Sequence, residues 1–140
     1  MIRKFRENDI DEVMTLWLNS NKEAHSFVDS NYWEDNYQMV KELIPQADVY
    51  VYEADGNILG FAGVSENYIA GIFVDGNYRS QGIGKKLLDY LKEVYTELTL
   101  QVYEKNSRAV DFYKREGFEI EAEGIDDFTN EKELYMKWGE

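Results

Sequence analysis

The segment Val74-Asp75-Gly76-Asn77-Tyr78-Arg79-Ser80-Gln81-Gly82-Ile83-Gly84-Lys85 carries the residue types needed to hold a phosphate. It leaves an apolar stretch, crosses a loop and enters a stretch with helical spacing. The first amides of a helix have no partner within it, so their hydrogens and the positive end of the helix dipole face any anion placed there. Gly82 and Gly84 let a phosphate approach the backbone, and Arg79, Lys85 and Lys86 add charge. The third glycine of G-x-G-x-x-G is missing, as is the Gly-Lys-Ser/Thr ending of a Walker loop, so neither of those nucleotide sites is indicated. The chain has no cysteine and one histidine, His25. A thiol nucleophile, a disulfide and a thiolate zinc site are therefore excluded, and no metal site is expected.

The elements that must position this loop can be read from hydrophobic spacing. Residues 2–6 alternate apolar and charged, as a half-buried strand does. Asn8 is placed to cap a helix carrying Ile10, Val13, Leu16 and Trp17 on one face, and Ser30 precedes a second helix with Trp33, Tyr37, Val40 and Ile44, ended by Pro45. Residues 49–54 and 58–65 flank Asp55-Gly56-Asn57, the turn chemistry of a hairpin, and residues 68–74 make a third strand. Gly82 opens a helix with Ile83, Leu87, Leu88, Leu91 and Tyr95 on one side. A strand at 98–103, a helix at 107–116 stopped by Gly117, and strands at 118–123 and 133–138 complete the chain. The expected class is α+β, a largely antiparallel sheet with one parallel pair where the helix from Gly82 crosses over. With 140 residues and no linker, repeat or low-complexity tract, the elements are expected to form one domain over 1–140.

Two motifs then make a family visible. Arg79-Ser80-Gln81-Gly82-Ile83-Gly84 resembles the Arg/Gln-x-x-Gly-x-Gly/Ala signature of the GNAT superfamily of N-acetyltransferases, between a strand and a helix as in that family. Downstream, Asn106-Ser107-Arg108-Ala109-Val110-Asp111-Phe112-Tyr113-Lys114-Arg115-Glu116-Gly117-Phe118 resembles the family's Asn-x-x-Ala-x-x-Phe/Tyr-Tyr-x-x-x-Gly-Phe segment. The likeness spans essentially the whole chain, and the first helix pair, with Trp17 and Ala24-His25-Ser26-Phe27, resembles that of small single-domain bacterial members.

The resemblance implies a six- to seven-stranded mixed sheet flanked by about four helices and splayed at its central parallel strands. It implies transfer of the acetyl group of acetyl-coenzyme A to a primary amine, of a small molecule or of a peptide or protein, by direct attack in a ternary complex. The alternative is a non-catalytic acyl-coenzyme A binding module on the same fold. Backbone groups of Ile72, Phe73 and Val74 are then expected to bind the pantetheine arm. Residues Arg79, Ser80, Gln81, Gly82, Ile83, Gly84 and Lys85 are expected to hold the pyrophosphate, chiefly through amides, and Asn106 to contact pantetheine. Tyr113 corresponds to the family's general acid, which a phenol with an intrinsic pKa of about 10 can serve at neutral pH. The general base stays open among Glu104, Glu66, His25 and a water.

Charge bears on the partners. The formal charge is -13, but residues 76–116 carry eight Lys or Arg against six Asp or Glu, net +2, leaving seven basic and twenty-two acidic residues elsewhere, net -15. This distribution suits an anionic ligand at the basic segment and a cationic acceptor, such as a lysine or N-terminus of a peptide, elsewhere. Nucleic acid is not expected as a partner, because a phosphate backbone requires clustered cations. No run approaches the roughly 20 apolar residues that span a bilayer, and the charged start has no signal-peptide core, so no membrane association and a cytoplasmic location are expected. The oligomeric state is left as monomer or homodimer.

Overall fold

The computed structural model describes residues 1–79 and 81–139. In chain order the elements are β1 (Ile2–Lys4), α1 (Ile10–Ala24), α2 (Ser30–Leu43), β2 (Asp48–Ala54), β3 (Asn57–Ser65), β4 (Tyr68–Val74), α3 (Ile83–Val94), β5 (Glu97–Tyr103), α4 (Ser107–Arg115), β6 (Glu119–Ile125) and β7 (Lys132–Gly139). The strands form one seven-stranded sheet in the order β1-β2-β3-β4-β5-β7-β6. All neighbours are antiparallel except β4 and β5, which α3 connects as a crossover. The α+β expectation, with its single parallel pair, is met.

Local chemistry explains the elements and adjusts three expected helix boundaries. Asp55 and Gly56 both take positive φ, 53° and 79°, the conformation that lets a two-residue turn join β2 to β3. Helix α1 starts at Ile10, after a 3-10 turn over Glu7–Asp9, rather than at Asn8. The reason is Asp9. Its carboxylate accepts from the Arg6 amide at 2.8 Å and from both terminal nitrogens of Arg3 at 2.8 and 2.9 Å, which fixes the turn and ties β1 to the helix entry. The cap of α2 is Asp29, which accepts from the Asn31 amide, and Ser30 is already helical. Pro45 lies within a 3-10 turn over Ile44–Gln46 that follows α2, and Tyr95, at the C-terminal cap of α3, is half-buried against the same core as Leu87 and Leu91.

Each face of the sheet has its own core. On one face α3 and α4 bury Leu87, Leu88, Leu91 and Val110 against Ala62, Val64, Ile69, Leu98, Leu100, Leu134 and Met136. Each fully buried Leu contributes about 1.5–3 kcal/mol relative to exposure, so this stripe fixes α3 to the sheet. On the other face α1 and α2 pack Val13, Met14, Leu16, Trp17 and Trp33 over Val49, Val51, Ile58 and Phe61. Trp17 and Trp33 meet edge to face, with centroids 6.1 Å apart. On that same side β5 and β7 carry Thr99, Gln101, Glu133 and Tyr135, which stay half-buried or exposed.

The parallel pair is short, and its shortness makes the site. Strand β4 pairs with β5 only at Tyr68↔Thr99 and Ile69↔Leu100, whereas its pairing with β3 runs on to Gly60↔Val74. A bulge at Gly63/Val64 bends β4 at this point. The edge of residues 71–74 that faces β5 therefore leaves backbone groups outside the ladder.

Candidate active site

A cleft of about 780 Å³ opens where β4 and β5 part. One wall is the free edge of β4 with Ile72, Phe73 and Val74. The N-terminal turn of α3 supplies Gly82, Ile83, Gly84 and Lys85, preceded by Arg79, and the opposite wall is α4 with Asn106 at its cap and Tyr113 in its last turn. Ten of the sequence-expected cofactor and catalytic residues thus line one cleft. Gln81 is exposed and does not line it, and Ser80 lies outside the described residues.

The loop is built as an anion cradle. Gly82 sits at φ +81°, a left-handed conformation that favours glycine, and a Cβ added there would meet nothing within 4 Å. The space beside it is open for a ligand. Within α3 the first amide bonded back is that of Lys86, to the Gly82 carbonyl at 3.0 Å, which leaves the preceding amides of the first turn free of intrahelical partners. Arg79 pairs with Glu23 at 2.6 Å, and Lys85 pairs with Glu116 at 3.1 Å and Asp89 at 3.3 Å. These contacts hold the lysine's pKa above its ordinary value. The two cations are thus balanced by carboxylates, so the amides are the donors without a prior claim. Arg108 and Arg115 also line the cleft; the sequence reading passed over both, although each stands in the second motif one or two positions from a named residue. Lys86 turns away, over the ring of Tyr52.

A second cleft, of about 620 Å³, lies along α1 with Asp11, Glu12, Glu23 and Asp75 in its wall and no Lys or Arg among its lining residues. Its charge disfavours a pyrophosphate, whereas the cleft beside α3 offers free amides and cations to one.

Tyr113 is 7% exposed, its ring edges onto Phe112 and Phe118, and its hydroxyl has no hydrogen-bond partner among the described residues. Burial, and then the neighbouring Tyr68, push its pKa up, so it remains a proton donor throughout the neutral range. Asn106 works twice: its Oδ1 accepts from the Ala109 amide at 3.3 Å and caps α4, while its Nδ2 lies 3.2 Å from Nε2 of His25.

Of the three side chains considered as base, His25 alone lines the cleft. Glu104 is exposed and paired with Lys132 at 3.1 Å, and Glu66 is exposed in the β3–β4 turn at φ 59°. His25 stacks on Trp33, touches Phe27 and Tyr103 edge-on, and is pushed down to about 4 by burial. So low a value makes it a poor acceptor for an amine proton, and its contacts are those of a side chain that positions Asn106. Its Nδ1 and the indole Nε1 of Trp33 are buried without partners among the described residues.

The residues present fit an extended acyl-coenzyme A: a free strand edge for an amide-bearing arm, a glycine cradle at a helix N-terminus for phosphates, and a protonated phenol where the two meet. Among the described residues no helix is long and apolar enough to cross a membrane, and no cluster of His, Cys, Asp and Glu suits a metal.

Comparison with known proteins agrees. The family model described as the acetyltransferase (GNAT) domain matches residues 45–120. The chain is 34% identical to the peptidyl-lysine N-acetyltransferase YiaC of Escherichia coli K12, over 99% of this chain and 96% of that protein. It is 31% identical to the peptidyl-lysine N-acetyltransferase YjaB of the same strain, over 85% of this chain and 82% of that one. The solution structure of apo YjaB from Escherichia coli superposes with a TM-score of 0.87 at 27% identity, covering 100% of this chain and 98% of that one. On the match to the domain and the kinship along its length, the chain belongs to the GNAT family of N-acetyltransferases.

Proposed function

We propose that this N-acetyltransferase takes the side-chain amine of lysine in a peptide or protein as its acceptor, with residues 1–140 acting as one catalytic domain. Acetyl-coenzyme A is the acetyl donor, as in the family. The observation that carries the reading is the convergence on one cleft of the unpaired β4 edge, the α3 N-terminus and the unpartnered Tyr113 hydroxyl. The names of the relatives, both peptidyl-lysine N-acetyltransferases, support the choice of acceptor, as does the acidity outside the cofactor segment.

When bound, acetyl-coenzyme A supplies an already activated thioester carbonyl. The chain's own part is to place and to proton-balance. The free edge of residues 72–74 aligns an extended ligand as a further strand, and amides there and at the start of α3 face the negative charge that ligand carries or develops. The first turn of α3, with Arg79, Lys85, Arg108 and Arg115 near it, holds the phosphates. Tyr113 hands its Oη proton to the departing sulfur, while the attacking amine gives up its own to water or to a side chain at the acceptor end. A retained phenol at this position favours catalysis over a non-catalytic binding module.

The test is incubation of the purified protein with acetyl-coenzyme A and a panel of lysine peptides, small amines and peptides blocked at lysine, read by mass spectrometry. Addition of one acetyl group at lysine is expected. If acetyl-coenzyme A binds but only small amines or N-termini are acetylated, the lysine assignment fails while the family assignment stands.

A further inference from the structure

We propose that Glu133 binds the ammonium group of the acceptor, at a cation subsite bounded by Tyr32, Tyr68, Tyr103 and Asp126. This rests on the lysine acetylation proposed above.

The sheet register assembles the subsite. Tyr103 on β5 stands directly opposite Glu133 on β7, and Gln101 stands opposite Tyr135, so these four side chains share one face. Tyr68 enters the same face from β4, its hydroxyl 3.5 Å from Gln101 Oε1. This is the side on which Tyr103 touches His25 and Phe27. The subsite therefore adjoins the mouth of the cofactor cleft.

Glu133 differs from the acidic side chains around it. Glu97 pairs with Lys137, Glu104 and Glu123 pair with Lys132, and Glu131 pairs with Lys105. Asp126 accepts the Tyr103 hydroxyl at 2.7 Å. Glu133 is half-buried and has no ion pair or side-chain hydrogen bond among the described residues. Burial, then Asp126 and Asp127, push its pKa up, so its charge is held at a cost that a bound cation would relieve. Burial, then Asp126 and Glu133, push up the hydroxyl of Tyr32 on α2, and burial, then the charge of Glu133, that of Tyr68 on β4.

The neighbouring cleft supplies the proton donor. Tyr113, more than nine-tenths buried, presents an unpartnered hydroxyl to the cleft, and the titratable neighbour acting on it is Tyr68, on which Glu133 also acts. Trp33, also 7% exposed, edges onto Tyr32 at 4.9 Å, and its Nε1 hydrogen has no acceptor among the described residues. The nitrogen held at Glu133 is the one to be acetylated, so it gives up its proton, to water or to a side chain there, before it reaches the carbonyl beside Tyr113.

The experiment titrates Nα-acetyl-lysine methylamide, and the uncharged norleucine analogue, into the full chain saturated with coenzyme A, by calorimetry. Wild type is expected to bind the lysine amide about tenfold or more tightly than the norleucine amide. Glu133→Gln should erase that preference, Glu133→Asp should keep part of it, and both should bind acetyl-coenzyme A as wild type does and keep its thermal midpoint. In turnover Glu133→Gln should raise KM for a lysine peptide about tenfold while kcat changes little. Equal lysine preference in Glu133→Gln, or no preference in wild type, overturns the proposal. Binding that depends on Glu133 without acetylation of any lysine peptide upholds the subsite and instead sinks the lysine acetyltransferase reading.

Discussion

Nε2 of His25 and Nδ2 of Asn106, 81 residues apart in sequence, meet at 3.2 Å across the mouth of the cofactor cleft. The amide nitrogen can only donate, so the imidazole accepts through Nε2 and carries its proton on Nδ1. One contact thereby joins the end of α1 to the cap of α4. It also requires His25 to be neutral, which its burial enforces.

This makes stability depend on pH in a stated direction. His25 titrates at about 4 in the folded chain and near 6.5 when unfolded, so between these values the unfolded chain binds the extra proton. Stability is complete above about 6.5 and falls as pH drops toward 4, by up to roughly 3 kcal/mol from this group. His25→Gln removes the titration and keeps an acceptor for Asn106. Urea unfolding of both proteins at several pH values is expected to show wild type losing stability faster over this window, and parallel curves would refute the assignment.

Gly82 and Gly84 separate binding from folding. An Ala side chain at Gly82 has space but must adopt φ +81°, so Gly82→Ala should cost about 1 kcal/mol of stability and weaken acetyl-coenzyme A by occupying the open side of the cradle. Gly84 has ordinary φ, and its added Cβ would make only normal contacts at 3.7 Å to Phe112 and 3.8 Å to Val74. Gly84→Asp adds an acid to a helix N-terminus, which favours the helix and repels a phosphate. Its melting temperature should hold while calorimetry detects no acetyl-coenzyme A binding. Undiminished affinity in the Asp variant would remove the phosphates from this loop.

The loop was legible because its signals are local: glycines, an apolar strand before it and helical spacing after it. The second motif placed Asn106 and Tyr113 for the same reason, and both line the cleft. What escaped the sequence depends on pairings between distant segments. The start of α1 was misplaced because Asp9 spends its carboxylate on Arg3 and the Arg6 amide, a choice set by how β1 folds back. Glu133 looked like any charged strand residue until the register put Tyr103 opposite it and gave the nearby lysines to other carboxylates. His25 was noticed as the lone histidine, but its aromatic surroundings come from Trp33 on α2 and Tyr103 on β5.

The Arg3–Asp9 pair yields a prediction about the fold alone. Their side chains are 10% and 8% exposed, and the Arg3 hydrogen bonds hold the Asp9 carboxyl below its usual range. Asp9→Asn leaves Arg3 paired with Glu53 alone, at 3.1 Å, and should lower unfolding free energy by about 1–2 kcal/mol at pH 7. Because the folded pKa of Asp9 is depressed, its contribution is present above the ordinary carboxylate pKa and lost as pH falls through the folded value. The gap between wild type and variant should therefore narrow in strong acid, as urea titrations at pH 7 and pH 3 can measure. A gap that is the same at both would mean that packing, not charge, sets the cost.

Tyr113→Phe tests the chemistry while sparing the fold. The lost hydroxyl has no hydrogen-bond partner among the described residues, and the ring that packs on Phe112 and Phe118 is retained, so melting temperature and acetyl-coenzyme A affinity should match wild type. If the phenol delivers the proton to sulfur, the single-turnover rate should fall by about 10²- to 10⁴-fold, the usual worth of a positioned acid. The pH profile gives a second readout. Burial and Tyr68 raise the Tyr113 pKa above the phenol's ordinary value, so the high-pH limb that reports a required proton should begin well into the alkaline range. In the Phe variant that limb should move or vanish, because its titrating group is gone. A single-turnover rate and pH profile equal to wild type would show that another donor, such as a water in the cleft, protonates the sulfur. The anion cradle and acceptor subsite would keep their assignments, and Tyr113 would be reduced to a wall of the cleft.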